Sequence, residues 1–245
     1  MQLFIHRSLR GLFAALATPS LALAGQPVCE AVSGDRTTPV IELYTSEGCS
    51  SCPPADQWLS TLKGKPVVAQ AFHVAYWDYI GWKDRFASPE FTLRQKDLAQ
   101  ANGLNGIYTP QLVKDGRDWR NWGQPLAALE SKTPARASIR LRQVDAANQF
   151  EAQVTPLAGN SNWVAYWTVT EHNHNSRVKA GENAGEFLKH DFVVRQYVQA
   201  GQYTGAQSLK FYSIPAQTDH PRQINLVVSN ARTGETMQAL SLSCS

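Results

Sequence analysis

The segment Cys49-Ser50-Ser51-Cys52 holds the clearest chemistry in this chain. Two thiols at this spacing reach each other across one helical turn and can cycle between disulfide and dithiol. The attacking species is a thiolate, and a helix N-terminus lowers a thiol pKa through its dipole and unpaired amides. Upstream, Val40-Ile41-Glu42-Leu43-Tyr44 is a short, mostly apolar strand. Downstream, Pro53-Pro54 suits the first turn of a helix with Trp58, Leu59 and Leu62 on its apolar face. Cys49 then stands at a strand-to-helix junction as the attacking sulfur, and Cys52 resolves the mixed disulfide. Zinc sites share the spacing. No second pair accompanies it here, so neither a metal site nor a cofactor beyond the dithiol is expected.

The remaining cysteines are Cys29 and Cys244, near the two ends of the chain. An even count of four in an exported protein predicts two disulfides, Cys49–Cys52 and a structural Cys29–Cys244. Export is read from residues 1–24. Arg7 and Arg10 precede an apolar run, Pro19 breaks it, and Ala22-Leu23-Ala24 supplies small residues for cleavage. The apolar run is too short to span a bilayer. The destination is the periplasm or the exterior. Removing Arg7 and Arg10 from 23 basic residues leaves 21 against 20 acids, a net charge of +1. That balance favours neither nucleic acid nor an anionic membrane as partner.

Along the chain, Val67–Phe72 is a second strand, parallel to the first through the intervening helix. Ser88-Pro89-Glu90 caps and opens a helix to about Ala101, and Asp115-Gly116 turns a hairpin between Gln111–Lys114 and Arg117–Trp119. Pro125–Ser131 is a last short helix. From Ala135 the apolar period falls to two, as in Ala137, Ile139 and Leu141 or Trp163, Ala165, Trp167 and Val169. The reading is three segments: a signal peptide over 1–24, an α/β domain over 25–133, and an antiparallel, sandwich-like β domain over 134–245.

Strand, Cys-x-x-Cys helix, strand, helix, then Thr109-Pro110 before a strand and an Asp-Gly turn resembles the thioredoxin superfamily over about Val40–Ser131. The resemblance implies a thioredoxin-like α/β fold, a central mixed sheet with flanking helices. It implies a cis Pro110 facing the dithiol, with Thr109 presenting backbone to a substrate. It also implies a buried acid, Glu42, that passes a proton to Cys52. The blocks Glu42–Asp56, His73–Gln95 and Gly181–Arg195 resemble more closely a family of secreted proteins catalogued as domain of unknown function 1223. That family usually has aspartate where this chain has Ala75.

Further candidates are His73, at the end of the second strand, and Trp77, Tyr79 and Trp82 as a wall for a substrate peptide. For each, packing in the core is the plainer alternative. Glu47 receives no role, because its charge opposes a thiolate. His172-x-His174 would share one strand face, with no third metal ligand in view. The expected function is a thiol–disulfide oxidoreductase acting on an unidentified thiol or disulfide partner. Two rivals stand beside it: a copper(I)-binding chaperone on the same dithiol, and a non-catalytic interaction module with a stable disulfide. The copper reading is weakened by a chain with only two methionines, Met1 and Met237.

Overall fold

The computed structural model describes residues 29–123, 129, 131–144, 148–158 and 161–244. The leader reading over 1–24 and most of the Pro125–Ser131 helix lie outside these residues. Among the described residues, fourteen strands and two α-helices follow in chain order. The first part holds β1 (Glu30–Val32), β2 (Val40–Thr45), α1 (Pro53–Ser60), β3 (Val68–His73), α2 (Pro89–Ala101), β4 (Gln111–Lys114) and β5 (Arg117–Asp118). The second holds β6 (Ala137–Gln143), β7 (Gln149–Pro156), β8 (Asn162–Glu171), β9 (His174–Arg177), β10 (Phe187–His190), β11 (Val193–Thr204), β12 (Gln207–Tyr212), β13 (Arg222–Asn230) and β14 (Thr236–Leu242).

The expected fold class is overturned. The protein is mostly β, with 46% strand and 14% helix, and it is not a thioredoxin-like α/β domain with flanking helices followed by a separate β sandwich. One eight-stranded sheet, β14-β13-β8-β11-β3-β2-β4-β5, takes strands from both halves of the chain. The join is at β3. Its inner edge pairs in parallel with β2, and its outer edge with β11, where Val193 faces Ala71. In a free-standing α/β unit that outer edge would leave amides and carbonyls unpaired. Local periodicity reveals strands but not their neighbours, so this long-range pairing was invisible in the sequence.

A four-stranded sheet, β1-β6-β7-β12, packs over the β14-β13-β8 end. Alternate residues meet there: Ile139 and Leu141 of β6, Phe150 of β7, Trp163 and Trp167 of β8 and Leu226 of β13, all buried. At the other end β2 is buried along its whole length, because helices cover both faces. Ile41 and Leu43 pack with Ala55 and Leu59 of α1 on one face. Tyr44 packs with Phe72 and with Phe91 of α2 on the other. Ser88 caps α2, its Oγ accepting from the Glu90 amide at 3.2 Å. No helix among the described residues is long and apolar enough to cross a membrane.

Candidate functional site

Cys49 and Cys52 are joined by a disulfide, and so are Cys29 and Cys244. The loop Ser46–Cys52 leaves the end of β2 and enters α1, with Cys52 as the N-cap residue. Pro53 and Pro54 carry no N–H, and the amides of Ala55 and Asp56 both donate to the Cys52 carbonyl. The first turn of α1 therefore has few free amides to stabilise a thiolate. Its dipole remains.

Both cysteines are wholly buried, while Ser50 and Ser51 between them are exposed. The cover comes from the β9–β10 hairpin, whose tip holds the Gly181–Gly185 stretch. Asn183 Nδ2 donates to the carbonyls of Glu47 at 2.8 Å and Cys49 at 3.0 Å. Glu182 accepts from the amide and the hydroxyl of Ser50 at 3.0 and 2.9 Å, which holds its carboxyl below the usual range. A 3-10 helix, Ala75–Ile80, closes the other side. A Cβ on Gly48 would meet Trp77 Cβ at 3.0 Å. One on Gly181, where φ is +76°, would meet Ile80 Cδ1 at 2.8 Å. Glycine at both positions lets the three segments close over the sulfurs.

Thr109, Pro110 and Trp77 come together at this end. The Thr109–Pro110 peptide is cis. Tyr44 of β2 faces Gln111 of β4, which sets Pro110 level with the strand end from which the cysteine loop springs. Trp77 Nε1 donates to Thr109 Oγ1 at 2.7 Å. Tyr79 is 83% exposed, and Trp82 Nε1 donates to Glu47 Oε2 at 2.7 Å.

Glu42 is buried, and its side chain lies on the α2 face of β2. The two-residue period of β2 sends it to the α2 face with Tyr44, whereas α1 lies on the opposite face. There Arg94 Nη2 stands 2.7 Å from its Oε1, Tyr166 donates to the same oxygen at 3.0 Å, and Tyr44 donates to Oε2 at 2.8 Å. Both carboxyl oxygens are thus occupied by Arg94, Tyr166 and Tyr44 on the α2 side of the sheet.

His73 lies instead in a buried polar cluster with Glu47, Asp56, Asp84 and His190. Its Nδ1 is 2.6 Å from Asp84 Oδ2. Asp84 also accepts from the amides of Glu47 and Phe86, at 3.0 and 2.9 Å. Burial opposes its charge, but His73 and these amides draw its pKa down to about 2. Glu47 is likewise held below the usual range despite burial, through His190, Ser176 and Trp82. His190 Nε2 is 3.3 Å from Glu47 Oε1, and its Nδ1 is 3.7 Å from Asp56 Oδ1. Burial disfavours charge on His190, yet these two carboxylates push its pKa up to about 10.

The sequence reading overlooked Asp56 and Asp84, gave Glu47 no role and assigned no chemistry to His190. His190 fell within the Gly181–Arg195 block, but its partners lie far away in sequence. The His172-x-His174 pair separates at Asn173, where φ is +61°. His174 Nε2 turns to Glu171 at 2.8 Å and His172 Nδ1 to Asp191 at 3.5 Å. A larger cavity of about 660 Å³ lies beside Pro39 and Lys65, at the opposite end of β2, and no cysteine or histidine lines it.

The chain belongs to the family described as protein of unknown function (DUF1223), whose model matches residues 40–229. The match spans both halves of the chain and includes the cysteine loop and its hairpin cover. The fold is similar to the X-ray crystal structure of a protein from Agrobacterium tumefaciens, with 26% identity, 86% of this chain and 96% of that chain covered, and a TM-score of 0.63. It is also similar to HBP35 of Porphyromonas gingivalis, with 14% identity, 85% and 75% coverage, and a TM-score of 0.60; at that identity the likeness is one of fold. No curated protein matches the sequence.

Proposed function

We propose that this protein is an exported thiol–disulfide oxidoreductase working through Cys49 and Cys52. The observation that carries the reading is the Cys49–Cys52 disulfide at the junction of a buried strand and the start of α1. A substrate thiolate attacks Cys49 Sγ, the Cys49–Cys52 bond breaks, and Cys52 leaves as thiolate. A second substrate thiol then displaces Cys49. Two substrate thiols become one disulfide and the protein becomes a dithiol; the reverse exchange reduces a substrate disulfide. The Trp77–Thr109 side of the loop is the place for a substrate chain. Either direction requires the hairpin tip to lift, since both sulfurs are covered. Export is supported by the N-terminal pattern and by two disulfides, which persist in oxidising compartments.

The test is to replace Cys52 with Ala, express the chain in the exported compartment, and search for mixed disulfides through Cys49. A trapped partner supports the reading. No partner, together with a Cys49–Cys52 potential below about −300 mV, the range of inert structural bridges, sinks it.

A further inference from the structure

We propose that Asp56, His73 and His190 form a binding site for one first-row divalent metal ion of the zinc type. One donor atom from each lies within 4.8 Å of the other two, and all three residues are buried. They come from separate elements: Asp56 from the first turn of α1, His73 from the end of β3, and His190 from the end of β10.

Each residue has one polar atom against a supporting group and another turned into the cluster. Asp56 Oδ2 accepts from Thr45 Oγ1 at 2.9 Å, while its Oδ1 faces His190. His73 Nδ1 is held by Asp84, and its Nε2, fully buried, has no hydrogen-bond partner among the described residues. His190 Nε2 faces Glu47 Oε1 at 3.3 Å and its Nδ1 faces Asp56 Oδ1 at 3.7 Å, and neither buried nitrogen makes a hydrogen bond among the described residues. A carboxylate behind each imidazole is the arrangement that fixes ring orientation and raises ligand basicity in metal centres. A buried ring nitrogen with no partner is a costly thing to keep, and a metal bond satisfies it.

Two further observations fit. The cationic partners of Glu47, Asp56 and Asp84 among the described residues are histidines alone, so three buried carboxylates gather without a lysine or arginine. A cavity of about 220 Å³ between α1 and β10, whose lining includes Asp56, Gln57, Lys189 and His190, gives an ion a way in to two of the donors. Two imidazoles and a carboxylate suit zinc and its first-row neighbours, and bonds of about 2.0–2.2 Å leave a further position for water. Donors in such a shell stand roughly 3.3 Å apart, so the three donor atoms, now within 4.8 Å of one another, draw closer on loading. The ion would clamp α1, β3 and β10 together, directly beneath the covered disulfide. The site does not depend on the thiol reading, since no sulfur takes part.

The test uses the full oxidised chain, loaded with zinc(II), freed of excess and measured for metal content and by X-ray absorption. One zinc per chain, in a shell of nitrogen and oxygen with imidazole scattering, is expected. It should survive in the Cys49→Ser/Cys52→Ser double variant. His73→Gln and His190→Gln should abolish retention, and Asp84→Asn, a positioning change, should weaken affinity about 10–100-fold. Failure of the wild-type chain to retain zinc overturns the proposal, and so does sulfur in the shell. Full retention by folded His73→Gln and His190→Gln also overturns it. Should those variants not fold, the wild-type absorption spectrum decides alone.

Discussion

Glu42 and Glu47 are acids of one short segment, both almost completely buried, and they are accommodated in opposite ways. Glu42 is saturated: Arg94, Tyr44 and Tyr166 occupy both of its oxygens. Arg94 in turn lies over the rings of Phe72, Tyr166 and Tyr197. Glu47 lies beyond the strand end. One oxygen takes Trp82, but the other has no hydrogen bond and faces His190, whose own nitrogens are unpartnered among the described residues. Satisfied buried networks stabilise and specify a fold, whereas groups left short of partners mark places where a ligand or a movement completes the set. By that measure the α2 face is the satisfied one, and the α1 end is where the proposed chemistry and metal site lie.

The sharpest way to break this comparison is to disturb the saturated side. Arg94→Met strands a buried carboxylate with only tyrosine donors and should cost about 3 kcal/mol or more of folding stability, read from urea denaturation. Thiol exchange at Cys49–Cys52 should be unchanged below the transition. A variant of wild-type stability would show that Glu42 does not need its cation. Next in size is Cys29→Ser/Cys244→Ser. It opens a bridge spanning 215 residues and should lower stability by about 2–5 kcal/mol. Retained exchange at Cys49–Cys52 in this variant separates the structural bridge from the reactive one.

Smaller effects should appear at the cover. Asn183→Ala removes two hydrogen bonds to the cysteine loop, each worth roughly 0.5–1.5 kcal/mol. Reduction of Cys49–Cys52 by a small thiol, followed by mass labelling, should then speed up about ten-fold, with the Cys29–Cys244 rate unaffected. An unchanged rate would mean that the hairpin tip does not gate the sulfurs. Glu182→Gln, at an exposed contact with Ser50, should give the smallest change, a rate increase below that of Asn183→Ala and no measurable shift in melting temperature.

Much of the local structure was legible. Ser88-Pro89 placed the start of α2 and Asp115-Gly116 the β4–β5 turn, because caps and turns are written in neighbouring residues. The cysteine pairing followed from four positions in the chain. The site was legible only in part. Cys49, Thr109 and Trp77 converge on one end of the sheet, but the side on which Glu42 emerges depends on which helix covers which face. The sequence pattern left that open.

The sequence by itself determined many of the local elements and the cysteine pairing, since apolar period, capping residues and cysteine spacing act over a few positions. Tertiary structure alone decided that β3 joins β11 and merges the two halves into one sheet. It also decided that the β9–β10 hairpin buries the disulfide, and that Glu47, Asp56, His73, Asp84 and His190 meet beneath it. These contacts link residues distant in the chain. They are selected by edge pairing and by the burial of whole faces, which no local pattern records.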